Sequence, residues 1–322
     1  MLIQSEFDIR FYLPEPTAFI ALLYLHPSLH GAVISGNELT IEQLRNAEIN
    51  IIGNDGNSNT AIISTDYRDR FDNRCARFLA PAGHLRLSGS SVIEADSNPD
   101  PIYPSAKQVP IAELPSEVLQ FLLASRYCEV DHFGPIARNL FGSVAPGWAR
   151  AVAIRDWVHE TVTFNYNAAR STKSAMDVFH DPIGVCRDFQ HLAITLTRCM
   201  NIPARYVTGY IGDIRTPYSG PGDFSAWYQV FLDGHWINLD ARHNYPRIGR
   251  ILMATGRDAA DVAITTTFGI ANLTHFYVES NEIDRNGDKV PLPQAAPSFS
   301  GHEQDIPHFT PQSQPNLIEV NS

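Results

Sequence analysis

Apolar and polar positions alternate in short runs over the first hundred residues. Phe7, Ile9, Phe11 and Leu13 are separated by single polar or mixed residues. This period of two predicts a half-buried strand. Ala18–Leu25 is apolar throughout and predicts a strand covered on both faces. Gly31–Leu39, Ala61–Thr65, Cys75–Ala80, His84–Leu87 and Ser91–Ala95 are further strand candidates, with Asp72-Asn73 and Pro81-Ala82-Gly83 as turns. Short strands joined by polar turns predict a small antiparallel sandwich over residues 1–100. Asp96–Pro115 carries five prolines, which continue neither helices nor central strands, so it reads as a linker. Helical spacing then sets in. Ser116 is an N-cap candidate ahead of Val118, Leu119, Leu122 and Leu123, a second helix covers His132–Phe141, and a third covers Pro146–Thr161. Phe164 and Tyr166 read as a short extended segment.

The clearest helical period lies between Ile183 and Pro203. Gly184 and Val185 lead in, Cys186 follows, and Phe189, Leu192, Ala193, Leu196 and Met200 recur at three- and four-residue spacing. Asn201 and Pro203 end the helix. A thiol in the first turn meets free N–H groups and the positive end of the helix dipole, which favour thiolate. A small buried core residue is an equally good reading of this stretch alone. Arg205–Ile211 is a β-branched and aromatic strand, and 212–222 is a Gly- and Pro-rich loop. Phe224–Leu232 and His235–Asp240 flank Asp233-Gly234, a two-residue hairpin signal. Arginines follow at 242, 247, 250 and 257, and Thr274–Glu279 is a last strand. The organisation is therefore residues 1–100 as the sandwich, 101–145 as linker and helices, 146–280 as a second folded unit, and 281–322 as a Pro-, Gln- and Ser-rich tail expected to be disordered.

Bulk composition narrows the function classes. The 322 residues are 44% hydrophobic and 18% charged, ordinary for a packed protein. A net charge of −11 speaks against nucleic-acid binding, which needs a basic surface. Four scattered cysteines without a C-x-x-C pair make neither a disulfide framework nor a zinc site. No cofactor or metal is expected. The opening residues lack a basic region followed by an apolar run, and Ala18–Leu25 is too short to span a bilayer. A cytoplasmic protein without membrane contact is expected.

A cysteine at a helix start followed by an antiparallel hairpin is the layout of papain-like and transglutaminase-like enzymes. GVCRDFQHLAITLTRCMNIPARYVTGY resembles the nucleophile segment of the transglutaminase-like superfamily, and FSAWYQVFLDGHWINLDARHN resembles its base-and-acid segment. The sandwich followed by helices resembles a bacterial subgroup of transglutaminase-like cysteine peptidases with its own N-terminal region. The resemblance covers residues 1–280 and is strongest over 146–270. It implies an α+β fold, a sandwich followed by a papain-like core of helices packed on an antiparallel sheet. It matches Cys186 to the nucleophile and Asp240 to the orienting acid. Ser225 takes the histidine position, because the family's His-Ala-Trp reads Ser225-Ala226-Trp227 here.

Strand register bears on this match. If Asp233-Gly234 is a two-residue turn, Leu232 pairs with His235 and Ser225 lies opposite Arg242. Asp240 is then a diagonal neighbour of position 225 on the same face. A serine there is too short and too weakly basic to replace imidazole. His243 would face the other way and can substitute only if the chain twists out of the strand after Asp240, which Asn244-Tyr245-Pro246 allows. His235 has the wrong parity, and His191 lies about 140° round the helix from Cys186. His159 and His180 lie in earlier segments. Arg187 and Asp188 either tune the thiol or form a solvated helix start. The Cys186 N–H offers half of an oxyanion hole, with Tyr166 or Gln190 as the second donor. Trp227 reads as hairpin core or as a substrate contact. Arg242, with Arg247 and Arg250, forms either an anionic subsite or a salt-bridged loop. Cys199 lies about 20 Å along the helix from Cys186 and cannot bridge to it. Two readings stand: a cysteine-dependent amide hydrolase or acyltransferase acting on a peptide or protein through a Cys186 thioester, and a non-catalytic module that binds a peptide or partner.

Overall fold

The computed structural model describes residues 1–44 and 59–294. Strands β1 (Leu2–Leu13), β2 (Thr17–Ala21), β3 (Val33–Gly36), β4 (Thr40–Leu44), β5 (Thr60–Ala61), β6 (Thr65–Arg68), β7 (Arg74–Ala80) and β8 (Gly83–Glu94) come first. The alternation along β1 is a burial pattern: Ile3, Phe7, Ile9, Phe11 and Leu13 point inward, with polar residues between them. β1 lies between β8 and a C-terminal strand, β16 (Asn272–Ile283), antiparallel to both. β2 lies between β7 and β15 (Thr265–Phe268). The two sheets face each other through Phe11 on Phe19 at 5.7 Å, and within the second sheet Phe19 stacks on its cross-strand partner Phe78 at 5.2 Å. The sandwich is therefore present, but C-terminal strands complete both of its sheets. Residues 265–280, grouped by sequence with the second folded unit, pair with β1 and β2 instead.

Two local expectations differ. Pro27–Ala32 forms a 3₁₀ turn, leaving only Val33–Gly36 of the Gly31–Leu39 strand. The helix expected after Ser116 is reduced to one short 3₁₀ segment, Leu119–Leu122. The chain turns to extended backbone at Leu123, so the segment closes after a single 3₁₀ turn. Residues 295–322, where most of the expected tail falls, lie outside the described residues.

The remaining elements build the layer that carries the cysteine. They are α1 (Val130–Phe141), α2 (Trp148–Thr161), β9 (Thr163–Phe164), α3 (Ala175–His180), β10 (Ile183–Gly184), α4 (Cys186–Cys199), β11 (Ala204–Ile211), β12 (Phe224–Leu232), β13 (His235–Leu239) and β14 (Arg250–Gly256). The last four strands form one antiparallel sheet in the order β13-β12-β11-β14. Asp233 and Gly234 take positive φ at 47° and 81°, as a tight hairpin turn requires. The register Leu232↔His235 through Tyr228↔Leu239 is the one the turn predicts. Ala226, Tyr228, Val230 and Leu232 face α4, while Trp227 and Gln229 face away.

α4 is buried on every side, not along one stripe, because α1, α2 and α3 pack round it and β11 and β12 lie beneath it. Several of its buried polar side chains find partners within the protein. Arg198, fully buried, donates to the carbonyls of Ala204, Leu123 and Arg257, as a buried charge must. Asn201, at φ 60°, lets the chain leave the helix. A chain ending before Thr265 would strip one edge strand from both sandwich sheets and remove the buried Val278 and Ile283, each worth roughly 1.5–3 kcal/mol of burial. It is expected to aggregate or to lose its cooperative thermal transition, read by size exclusion and calorimetry. A truncated chain that stays monomeric and melts as the full chain does would contradict this.

Candidate active site

Cys186 opens α4 because the chain before it is pinned. At Gly184 an added Cβ would lie 2.6 Å from an Asp188 carboxylate oxygen, so no side chain fits. Asp188, in the first turn, reaches back to accept the Val185 N–H at 2.9 Å, satisfying one donor at the helix start. Buried Lys173 bonds Asp181 at 3.2 Å and the Ile183 carbonyl. Ile183 and Gly184 pair with Thr163 and Phe164 in a short parallel ladder. These contacts fix where the thiol emerges.

The thiol lies against the open edge of β12. β13 pairs only as far as Leu239, so the edge of Ala226 is free for α4. The Ala226 N–H points at the Cys186 sulfur, as does the N–H of Arg187. The Ala226 carbonyl accepts from Gln190 Nε2 at 3.3 Å. Burial is the largest influence on the thiol and pushes it up to about 11; Arg242 and the two N–H groups oppose this, and Asp223 adds to it. The expectation of a resting thiolate is therefore not met. The helix-start donors are present, but desolvation outweighs them. The resting group is a neutral thiol.

Arg242 and Asp223 flank this sulfur. The Arg242 guanidinium lies 3.8 Å over the Phe164 ring, an arrangement that holds a cation without a salt bridge. Asp223 is exposed as a residue, but protein atoms crowd its carboxyl. That desolvation pushes it up to about 6, against the Phe224 N–H and Arg242. Tyr166, 54% exposed, sits near Arg242, Asp223 and Cys186. Asp223 was not singled out from sequence. The available signal is parity: it lies two residues before Ser225, on the same strand face.

Asp240 is the other centre. β13 ends just before it, and the chain turns through one helical turn, with Asn244 N–H donating to the Asp240 carbonyl at 3.0 Å. The Asp240 carboxylate caps that turn. Its Oδ1 accepts from the N–H groups of Arg242 at 2.9 Å and His243 at 3.1 Å, and from Gln190 Nε2 at 3.2 Å. Its Oδ2 accepts from Arg250 at 3.2 Å and lies 2.9 Å from His243 Nδ1. Burial pushes this carboxyl up, but the His243 hydrogen bond and the Arg250 charge outweigh it and hold the group well below the usual carboxylate range. An ionised carboxylate at Nδ1 requires the imidazole proton there, which leaves Nε2 as the basic nitrogen. The twist out of the strand that His243 needs is therefore present. Its sequence signal is a capping Asp followed three residues later by His, with Asn244 at φ 57° closing the turn.

Other candidate residues have defined places. Ser225 pairs with Gly209 on β11. Gln190 is buried and fully engaged: besides its two donated bonds, its Oε1 accepts the Ala241 N–H at 3.2 Å, so it joins α4 to Asp240 and does not face a substrate. Trp227, 2% exposed, donates from Nε1 to Asn238 at 3.1 Å under the Arg250 guanidinium. Arg247 bonds the Gly212 carbonyl and Tyr245, so of the arginines at 242, 247 and 250 only Arg242 faces the thiol. His191 is buried, stacked on Tyr127, and accepts the Ala259 N–H at 3.2 Å. His159 Nδ1 contacts the Arg242 carbonyl at 2.9 Å, tying the turn to α2. Cys199, at the far end of α4, contacts the Val130 carbonyl. Among the described residues no group of three His, Cys, Asp or Glu could hold a metal, and no helix is long and apolar enough to cross a membrane.

Known proteins share the fold that carries this geometry. Residues 135–241 match the family model described as the transglutaminase-like superfamily. A crystal structure from Cytophaga hutchinsonii described as a "putative cysteine protease" superposes with a TM-score of 0.73 at 27% identity, covering 92% of this chain and 94% of that one. An uncharacterized protein of Mycobacterium leprae is 28% identical over 244 residues, 72% of this chain and 85% of its own. One from Mycobacterium tuberculosis is 25% identical over 247 residues, 70% and 76% of the two chains. The segment that carries Cys186 and Asp240 is thus a transglutaminase-like domain by its match over residues 135–241. The chain's α+β architecture, a β-sandwich joined to helices on an antiparallel sheet, is that of the Cytophaga protein over nearly its whole length.

Alkylation tests the electrostatics of the thiol. Iodoacetamide should modify Cys186 slowly at pH 7 and faster as pH rises past 9, because burial holds the thiol neutral. Arg242→Met should slow the reaction at pH 8 and Asp223→Asn should speed it, each by about three- to tenfold. A wild-type profile with a midpoint near 8 or below would contradict the assignment.

Proposed function

We propose that the protein is a cysteine-dependent amide hydrolase or acyltransferase that acts on a peptide or protein through a Cys186 thioester. The observation that carries this reading is the 2.9 Å contact between His243 Nδ1 and Asp240 Oδ2, with Asp240 itself hydrogen-bonded through Gln190 to the helix that begins at Cys186. Acid and imidazole thus belong to the same end of α4 as the nucleophile. The imidazole comes from the turn after the acid, not from the strand position that Ser225 occupies.

In this reading a neutral thiol is a demand for a base. His243 Nε2 takes the Cys186 proton as the sulfur attacks the amide carbonyl, and Asp240 stabilises the imidazolium that forms. The developing oxyanion meets the Cys186 N–H at the helix start. The imidazolium returns its proton to the leaving amine, and the thioester remains. Water or a second amine resolves it, with Nε2 again removing the proton, and both outcomes use the same residues. Arg242 and Tyr166 at the mouth are the contacts a substrate would meet.

A second reading has its own support. A thiol pushed up to about 11 beside a serine at the family's histidine position also suits a site that only binds peptide.

The readings part on three variants assayed with fluorogenic peptide amides and by intact mass after exposure to an activated acyl ester. Cys186→Ala should abolish acylation. His243→Ala should lower kcat/KM by about 10²- to 10⁴-fold with little change in KM. Ser225→His should have little effect on a working enzyme. If the wild-type protein is never acylated and Ser225→His creates hydrolysis, the binding reading replaces the catalytic one.

A further inference from the structure

Asp100 lies in the proline-rich stretch between the sandwich and the helices, a place the sequence marks only as a linker. The structure straps that stretch across the sheet. The Asp100 N–H donates to the Arg247 carbonyl at 2.9 Å, and its Oδ2 accepts the Arg247 N–H at 3.0 Å. Its Oδ1 accepts from Asn238 on β13 at 3.2 Å. Most tellingly, its Oδ2 is 2.6 Å from Arg250 Nε, while Arg250 Nη2 is 3.2 Å from Asp240 Oδ2. That same Asp240 oxygen is 2.9 Å from His243.

Four ionisable groups therefore alternate in sign along one line: Asp100, Arg250, Asp240 and His243. Three of them are largely withdrawn from water, with side-chain exposures of 13%, 5% and 2%, and His243 is 20% exposed. Water screens such pairs weakly. The other groups facing the line are few. Arg155 and Tyr245 border it together with Asn238, and Arg247 lies against Tyr245. Tyr228, on the α4 side of β12, feels Arg155, Asp156 and Asp240. Arg250 Nη1 has no partner among the described residues, so its charge is shared by the two carboxylates.

We propose that Asp100 and Arg250 are positioning residues for the site: Arg250 aims Asp240 Oδ2 at the imidazole, and Asp100 offsets the Arg250 charge so that Asp240 still favours a proton on His243. With Arg250 alone, Asp240 would be neutralised, and proton transfer from thiol to imidazole would leave an uncompensated cation. With Asp100 present, the line carries one net negative charge before the transfer and none after it. This rests on the reading of His243 as the base. It gives the linker a role beyond connection, since one of its carboxylates completes the charge balance of a site on the other folded layer.

The test is the rate at which diethylpyrocarbonate, which attacks neutral imidazole, modifies His243 in the full-length protein at pH 6, read residue by residue by peptide mass spectrometry. Asp100→Asn should speed modification of His243 by about threefold, Arg250→Met should slow it by about as much, and Asp100→Glu should restore the wild-type rate. His132, exposed on α1, serves as the internal standard and should not move. Opposite signs for the two variants are the signature, since loss of structure would speed both. Equal rates in wild type and Asp100→Asn, or shifts of the same sign in both variants, would overturn the proposal. If Arg250→Met does not fold, the Asp100→Asn and Asp100→Glu pair decides alone. Acylation of Cys186, measured separately, tells the two claims apart: His243 rates that shift as expected without acylation would retain the charge line and remove the enzyme, and the converse would retain the enzyme and remove the line.

Discussion

A carboxylate buried at the end of a strand needs partners on every side, and Asp240 dictates much of this structure by needing them. An unpaired charge in that position would cost several kcal/mol. Five donors meet it: two backbone N–H groups of its own turn, the Gln190 amide, the Arg250 guanidinium and the His243 ring. Each fixes a separate element. The backbone donors force the chain to turn after Leu239 and stop β13. Gln190 ties the turn to α4. Arg250 ties it to β14 and, through Asp100, to the linker. Stopping β13 in turn frees the edge of Ala226, where the Cys186 sulfur sits. The Cys186 thiol and the turn that carries His243 are thus placed by one buried charge and its neighbours.

This arrangement changes what the cysteine needs. At a helix start the dipole and free N–H groups stabilise thiolate by amounts on the order of 1 kcal/mol. Close packing withdraws the sulfur from water and costs more than that, so the thiol rests neutral. A neutral thiol in a transglutaminase-like core requires proton removal during attack. The Ser225 hydroxyl on β12 is too weakly basic to supply it. A turn that swings His243 onto Asp240 puts an imidazole in the same neighbourhood by another route. Two charges at the mouth act in opposition, Arg242 favouring thiolate and Asp223 disfavouring it, so substrate that displaces or pairs with either would alter the reactivity of the sulfur.

Much of this was legible in the residues. Alternation along Leu2–Leu13 marked a strand, Asp233-Gly234 fixed the hairpin register, and apolar spacing after Cys186 marked the central helix. Those signals are local, and local sterics decided them. What stayed hidden was set by distant contacts. Nothing near Asn272 says that it closes a sheet with residues at the other end of the chain. Asp100 reads as one polar residue among prolines until Arg250 lies beside it. The thiol's state depends on packing from β12, which the cysteine's own neighbours do not encode. Gln190 reads from the sequence as a candidate oxyanion donor and Trp227 as hairpin core or substrate contact, and their engagement with Asp240, Ala226 and Asn238 removes both from the cleft.

The proposed service of His243 as base to Cys186 is tested by a crystal structure of the protein with Cys186 alkylated by a peptidyl chloromethyl ketone, which occupies the cleft as an acyl group would. His243 Nε2 is expected within about 4 Å of the Cys186 sulfur, or joined to it by one ordered water, with Nδ1 still on Asp240. An imidazole more than about 6 Å away with no bridging water, while the peptide lies ordered in the cleft, would contradict it.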